Sequence, residues 1–366
     1  MSSSQPIQQF PKEGKTLTAW ARRNLFSSWF NTVLTVLLLY LVWVAMVPLI
    51  DWLVIDAQWS GRSPDACLNK GAACWPFVWN RFDQFIYGQY PVAERWRINV
   101  GIALGIVLAA PLLFPRLPHR KWLITILLTI YPLAAIYLFV GGGGLPVVET
   151  QKWGGFFLTI VVSVFVMTTS LPMGILLALG RRSSIPLVKV FCAGWIEIWR
   201  SIPVVVVLFV AIILFPLFMP AELEIDRLLR AVVALAILMS CFLAEAIRGA
   251  LQSIPGGQYE ASAALGLGYW DTMRLIMIPQ ALKTALPQII SNFIGLFKET
   301  TVLLIIGFQD LLGMVQSASS DPQWTGQNVR TTGYFFVAGF FWLCCFAMSR
   351  YGAFLERRLS RGFQWK

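Results

Sequence analysis

Eight stretches of this chain stay apolar over lengths that can cross a lipid bilayer, and this pattern leaves few folds open. They lie near residues 29–50, 98–114, 122–141, 155–180, 188–218, 227–247, 283–307 and 332–351. A hydrocarbon core of about 30 Å needs roughly 20 helical residues. The stretches are continuously apolar rather than alternating with period 2, which excludes a closed β-barrel. Inside lipid the α-helix is then the remaining way to pair every backbone N–H and C=O. Apolar types make up 57% of the 366 residues and charged types 13%, with a mean hydropathy of +0.67. A soluble domain of that length has nowhere to bury so much apolar surface, so lipid is the solvent for much of it. The expected fold is an all-α integral membrane protein of about eight spans. The second span is short and the fifth is long and interrupted.

The net charge of +11 does not point to nucleic acid. The basic residues sit in short clusters between apolar runs, which is a signature of membrane orientation. With the N-terminus inside, 18 of the 29 Lys and Arg residues fall in cytoplasmic segments, including Arg22, Arg23, Arg116, Arg120, Lys121, Arg181, Arg182, Arg357 and Arg358. This predicts a multi-pass membrane protein with both termini cytoplasmic. Arg95 and Arg97, beside the second span, run against the rule, and Arg200 and Lys298 fall inside spans. The first 28 residues are polar and carry no early apolar core. No cleavable signal peptide is therefore expected, and the first apolar run is itself a span. Cys192, Cys241, Cys344 and Cys345 lie in apolar stretches and read as small hydrophobes. Cys67 and Cys74, seven apart in a polar loop, have a spacing that permits a disulfide without requiring one.

The chain divides near residue 150. In 1–150, three spans surround a loop, 51–97, rich in Trp, Phe and Tyr, a composition that suits a layer at the membrane interface. Gly141-Gly142-Gly143-Gly144 reads as a flexible joint. The remaining five spans, in 151–366, hold the assignable motifs, and no internal repeat marks an inverted-repeat transporter.

Between the sixth and seventh spans lies a polar interruption, 250–282. Pro255-Gly256-Gly257 breaks the preceding helix. Glu260 is expected in the first turn of a short helix, where the dipole favours a carboxylate. Ala261, Ala264 and Leu265 share one face of it, and Gly266 and Gly268 let the chain turn. A second helix follows, with Asp271 early and Trp270, Met273, Ile276 and Met277 at helical spacing, and Pro279 is expected to end it. Physics alone leaves two readings for this loop: an amphipathic elbow lying in the interface, or a docking surface for a soluble partner.

Glu260-Ala261-Ser262, Gly266 and Ile276-Met277-Ile278-Pro279 resemble the coupling loop of ABC importer permeases: Glu-Ala-Ala, three residues, Gly, nine residues, Ile-x-Leu-Pro. Ser262 and Ile278 are the departures. Three further segments resemble the polar-amino-acid (histidine/glutamine-type) branch of that family. Glu197-Ile-Trp-Arg200-Ser-Ile-Pro203 resembles its Glu-x-x-Arg-Gly-Thr-Pro. Ala244-Glu245-Ala-Ile-Arg248-Gly249 resembles its Ala-Glu-x-x-Arg-Gly, and Lys298-Glu299-Thr300-Thr301 its Lys-Asp-Thr/Ser-Ser. The loop containing Trp59, Cys67, Cys74, Trp75, Tyr90 and Glu94-Arg95-Trp96-Arg97, with its three added spans, resembles the M-type permease subunit of general L-amino-acid ABC importers. The resemblance implies a type I importer permease core of five spans and a three-span N-terminal extension. It also implies a second, Q-type permease, two copies of an ATP-binding subunit, a periplasmic amino-acid-binding protein and an L-amino-acid substrate. Transport would proceed by alternating access, coupled to the ATPase through 258–279.

The chain carries no G-x-x-x-x-G-K-[ST] phosphate loop. Gly14-Lys15-Thr16 is a fragment of one, with Gln9 in place of its first glycine. The expectation is a transport subunit that is not itself an enzyme and binds no cofactor, ATP being used by the partner. Ionisable residues within spans are candidate sites. Lys298 and Glu299, with the hydroxyls of Thr300 and Thr301, supply a cation, an acceptor and donors for a zwitterion. A charge pair that fixes subunit packing is the other reading. Glu197 with Arg200, and Glu245 with Arg248, have helix-pair spacing. Arg200 is expected to face the pathway, and Arg248 also suits a positive-inside anchor. Asp310 reads as a solvated loop carboxylate, and His119, the single histidine, as a loop residue rather than a metal ligand. The alternative function is an ion-gradient-driven secondary amino-acid transporter. That would require acidic sites in broken helices and would leave the 258–279 loop without a purpose. A membrane enzyme would need a nucleophile or metal cluster that the scattered cysteines and lone histidine do not offer.

Overall fold

A computed structural model describes residues 17–67, 71–113, 120–220, 222, 224–324 and 326–360. Arg116 and His119, the Gly14-Lys15-Thr16 fragment and the last six residues lie outside these. The chain forms two compact units, Met1–Pro76 and Phe77–Lys366, and the described residues contain isolated bridges but no strands. Among the described residues, seven helices are long and apolar enough to cross a membrane, with one further bent pair.

In the first unit, α1 (Leu17–Asn24) precedes α2 (Trp29–Ile50). Ser28 caps α2 by accepting from the Asn31 N–H at 3.2 Å. One π turn, Asp51–Ile55, extends it. No residue of α2 is buried, as a uniformly apolar helix in lipid allows. Below it Cys67 and Cys74 are bonded, their Cα atoms 5.6 Å apart. The Trp75 indole donates to the Leu53 carbonyl at 3.0 Å and stacks on Trp59 at 5.3 Å.

The second unit runs through α3 (Trp75–Tyr87), α4 (Arg95–Ala109), α5 (Arg120–Val140), α6 (Gly155–Arg181), α7 (Pro186–Ser201), α8 (Val204–Phe209) and α9 (Arg227–Gln252). After these come α10 (Gly256–Ala264), α11 (Tyr269–Asp271), α12 (Ile278–Glu299), α13 (Leu311–Ser319) and α14 (Gln327–Ser360). Its centre is α9, which packs on α6, α7, α8 and α12 and buries Ala231, Leu235, Cys241, Leu243, Ala244 and Ile247. Helices in lipid gain little from excluding water, so close packing of small residues must hold them together. The α6 side of the contact supplies Ser163, Ser170, Gly174 and Ala178, all buried. A Cβ on Gly174 would lie 2.9 Å from the Leu243 Cβ and 3.0 Å from the Ser240 carbonyl. The hydroxyl of Ser240 is spent on the Ile237 carbonyl of its own helix, so it packs as a small residue.

The fifth span is interrupted, as its sequence suggests, and several other expectations change. It breaks at Ile202-Pro203 into Pro186–Ser201 and Val204–Phe218, bent by 104°. Pro203 lacks an N–H and pushes Ile202 to extended backbone (φ −92°, ψ 128°). The second span begins at Val92 rather than 98, because its charges are neutralised. Arg97, fully buried, pairs with Glu94 at 2.6 Å and donates to the Pro146 carbonyl at 2.8 Å, while Arg95 pairs with Asp83 at 3.0 Å. The four glycines 141–144 are a folded turn rather than a loose joint. All have positive φ, and Gly142 and Leu145 exchange backbone hydrogen bonds. Nor do the aromatics of the 51–97 loop all lie at an interface: Phe77 and Phe85 are fully buried, Phe77 against Trp324 and Phe85 against Phe336.

Asp310 is not solvated. It is fully buried and caps α13, its Oδ1 accepting from the Gly313 N–H at 3.0 Å, and its Oδ2 has no hydrogen-bond partner among the described residues. Burial pushes its carboxyl up to about 6. Because this lies above the unfolded value near 4, the stabilisation is complete below about pH 4 and is lost as pH rises through 6.

Two predictions follow from this packing. Gly174→Val should destabilise the chain by about 1–3 kcal/mol, read as a lower unfolding midpoint in micelles, and an unchanged midpoint would contradict the close approach. Asp310→Asn keeps the cap but removes the titration. The wild-type midpoint should fall between about pH 4 and 6 and level off above that, while the variant's stays level throughout, the variant being more stable at pH 7 by up to about 3 kcal/mol.

Candidate functional site

Helices α6, α7 and α9 bring three charged motifs together. Arg181, the last residue of α6, places Nη2 2.8 Å from Glu197 Oε1 on α7 and Nη1 3.1 Å from Glu245 Oε2 on α9. Glu245 also accepts from Arg248 Nε at 3.0 Å and pairs with its Nη2. A guanidinium fork holds two carboxylates at fixed geometry, which a lysine would not. The Glu245–Arg248 pair therefore forms as its spacing suggests. The expected Glu197–Arg200 pair does not, because Arg181 takes Glu197, and Arg200 lies over the Phe242 ring at 5.6 Å instead. Sequence reasoning counted Arg181 only as an orienting charge; two neighbouring arginines ending an apolar run near two acidic motifs were the available signal.

Arg182 points to the polar loop instead, its guanidinium 5.7 Å from the centre of the Tyr259 ring. The loop is ordered. Pro255 starts α10, which leaves Glu260 beyond the first turn and not at the favoured dipole position. Glu260 and Ala261 are exposed, whereas Ser262 is buried with its hydroxyl donating to the Tyr259 carbonyl at 2.8 Å. A small side chain is required there, and serine satisfies itself locally. The turn rests on Gly266 alone (φ +72°), since Gly268 has an ordinary φ of −68°. A Cβ at Gly266 would meet nothing within 4 Å.

Pro279 does not end the second helix. A π segment, Thr272–Met277, widens the backbone ahead of it, and Pro279 occupies the first turn of α12, where its missing N–H is tolerated. One apolar span thus runs from Tyr269 to Ile306, longer than the expected 283–307. Met273 and Met277 face inward and Ile276 is half-buried, while Leu265 (77% exposed), Tyr269, Trp270 (70%) and Leu275 point outward. A cavity of about 330 Å³ lies beneath the loop, between Leu179 and Arg182 of α6, Leu251 of α9 and Tyr259, Ser262 and Met273.

Lys298 and Glu299 end α12, where the backbone tightens into a 3-10 segment, Thr300–Ile306. Both are exposed, and neither forms an ion pair among the described residues. The Thr300 hydroxyl is buried and donates to the Phe297 carbonyl at 2.9 Å, and that of Thr301 donates to the Lys298 carbonyl at 2.9 Å. The two threonines are thus engaged by their own helix, which leaves the two charges as the groups presented outward.

The Arg181 fork predicts non-additive energetics. Arg181→Ala and Glu197→Ala should together destabilise the chain by about 1 kcal/mol less than the sum of the single changes. Unfolding midpoints of the four proteins check this, and strict additivity would contradict the pairing.

Residues 170–361 match the family model described as "Binding-protein-dependent transport system inner membrane component". The chain is 43% identical to the "Inner membrane amino-acid ABC transporter permease protein YhdY" of Escherichia coli over 98% of this chain and 97% of that protein. It is 37% identical to the "Glutamate/glutamine/aspartate/asparagine transport system permease protein BztC" of Rhodobacter capsulatus, covering 93% of each. The "Probable glutamine ABC transporter permease protein GlnM" of Bacillus subtilis is 31% identical over 57% of this chain and 93% of its own length. The chain belongs to the family of inner-membrane permease components of binding-protein-dependent transport systems.

Proposed function

We propose that this chain is the M-type permease subunit of an ATP-driven importer of L-amino acids. The carrying observation is the ordered elbow at 258–279, which holds Leu265, Tyr269, Trp270 and Leu275 outward from a polar loop. Large exposed apolar side chains on a rigid loop between spans mark a docking surface for a soluble partner, and that partner is the ATPase subunit. Glu260, Ala261, Gly266, Ile276 and Pro279 shape the docked surface, and Ser262 packs it onto the bundle. The names of the relatives support an amino-acid substrate.

A Q-type permease completes the pathway as the other half of a heterodimer, two ATP-binding subunits bind the nucleotide, and a periplasmic binding protein delivers the substrate. This chain binds no cofactor of its own. Both termini and the elbow lie on the cytoplasmic side of the inner membrane. ATP-driven closure of the ATPase dimer moves the elbow, and the elbow is continuous with the span reaching Lys298 and Glu299. Arg182 ties the same motion to α6, and Arg181 ties α6 to Glu197, Glu245 and Arg248. Lys298 and Glu299 take the carboxylate and ammonium of the zwitterion, with Thr300 and Thr301 behind them and Arg200 beside the broken fifth span. Movement follows only if the ATPase binds one elbow position better than the other.

Gly266→Asp tests the reading. A side chain has room within this chain, and the left-handed backbone costs about 1–2 kcal/mol, so folding should survive while docking fails. In vesicles holding the full complex, ATP-dependent uptake of labelled L-glutamate, L-arginine or L-leucine should be lost and the ATPase should no longer co-purify. Uptake by this chain alone, indifferent to ATP and to Gly266, would overturn the reading in favour of a secondary transporter.

A further inference from the structure

A second cavity, of about 190 Å³, lies at the opposite end of the α6–α9 pair, beside the first turns of both helices. Since α6 has 27 residues, roughly 40 Å of helix separates this end from the Arg181 fork. Gln89, Gln151 and Trp153 form part of the wall, and Arg227, Gly307 and Gln309 another part. The first three precede the family match at 170–361 and the others lie within it. The cavity is therefore assembled from the permease core and the segment that precedes it.

Its chemistry is one-sided. It presents three side-chain amides, a guanidinium and an indole, and no carboxylate lines it. Arg227 spends one donor on the Ile306 carbonyl at 3.1 Å and forms no ion pair among the described residues. Neighbouring Asp226 forms no ion pair with it, its two oxygens accepting instead from the Leu229 N–H at 2.9 Å and the Thr150 hydroxyl at 2.5 Å. Trp153 is 5% exposed, and its indole N–H has no partner among the described residues. Gln89 and Gln309 meet at 3.4 Å, a long contact that can yield. The backbone around the cavity is fixed, since the Gly155 N–H donates to the Gln309 carbonyl at 2.8 Å. A preformed cavity with an unneutralised guanidinium and convergent amides suits a small carboxylate.

We infer that this cavity receives a free amino acid at the mouth of the pathway, its carboxylate on Arg227 and its remaining polar atoms on Gln89, Gln151 and Gln309. The inference rests on the permease reading and adds a substrate site to it, about a bilayer's thickness from the elbow. It also assigns work to the segment before residue 154: supplying half of a receiving site.

Equilibrium binding tests it with the full-length chain in nanodiscs and labelled L-glutamate, L-glutamine, L-arginine and L-leucine as probes. At least one should bind, and its amide analogue, which lacks the carboxylate, should not compete. Arg227→Gln should weaken binding at least about tenfold and Gln151→Ala severalfold. Unfolding midpoints confirm that each variant is folded, and Gln151→Ala serves if Arg227→Gln is not. Binding unchanged in both variants, or equal competition by the amide, overturns the proposal. So does loss of binding in Lys298→Ala alone, which puts the site at the seventh span. If no probe binds while the complex retains ATP-driven uptake, the cavity proposal falls and the permease reading stands. If Arg227→Gln loses capture of the binding protein but not the amino acid, the carboxylate belongs to that protein and the proposal is overturned.

Discussion

The arrangement of this protein depends on how closely α6 approaches α9. Around Gly174 there is no room for a side chain, and the small residues along α6 let the two helices lie together over much of their length. That contact sets both ends of the pair. At one end it brings Arg181 within reach of Glu245, and at the other it sets Trp153, just ahead of α6, and Arg227 of α9 against the same cavity. A wider separation would break the ion network and open the cavity together.

Charge is costly near the bilayer core, and the fold confines it to places where it is paired or wet. Arg97 enters the second span only with Glu94 and the Pro146 carbonyl around it. The Arg181 fork bridges two carboxylates, and Arg248 supplies the second positive charge that balances them. Against this background the unpaired charges stand out. Lys298, Glu299 and Arg227 carry no ion pair among the described residues, and each sits where the proposed pathway runs. A helix that stays continuous past Pro279 gives the elbow a stiff lever towards two of them. The π segment makes this possible by giving the proline ring space that a regular α turn lacks.

The spans were legible because lipid leaves a chain few ways to satisfy its backbone, and the elbow because proline and glycine punctuate it. What escaped the sequence was tertiary. Glu197 and Arg200 have helix-pair spacing, but Arg181, sixteen positions before Glu197, outcompetes Arg200 for it. Asp310 sits in a loop by pattern, yet it is buried because the start of α6 and the cap of α13 close over it. The four consecutive glycines carry the composition of a linker, but their positive φ values build a turn held by hydrogen bonds. Pairing partners distant in the chain leave no local periodicity, and the two cavities were unreadable for the same reason. The motif residues of the elbow fall together in one ordered segment between two spans. Which of them face outward depended on packing against α6, and the exposed Leu265 and Leu275 follow from that packing.

The central claim is that the elbow is the face on which an ATPase docks. Photocrosslinking in membranes bearing the complete transport system tests it most directly, with a photoreactive residue in place of Leu265 or of Trp59. The account predicts an ATPase adduct from position 265, altered in yield when ATP is supplied, and none from position 59. An adduct from 59 and none from 265, or no ATPase adduct from any outward position of the elbow, would contradict it.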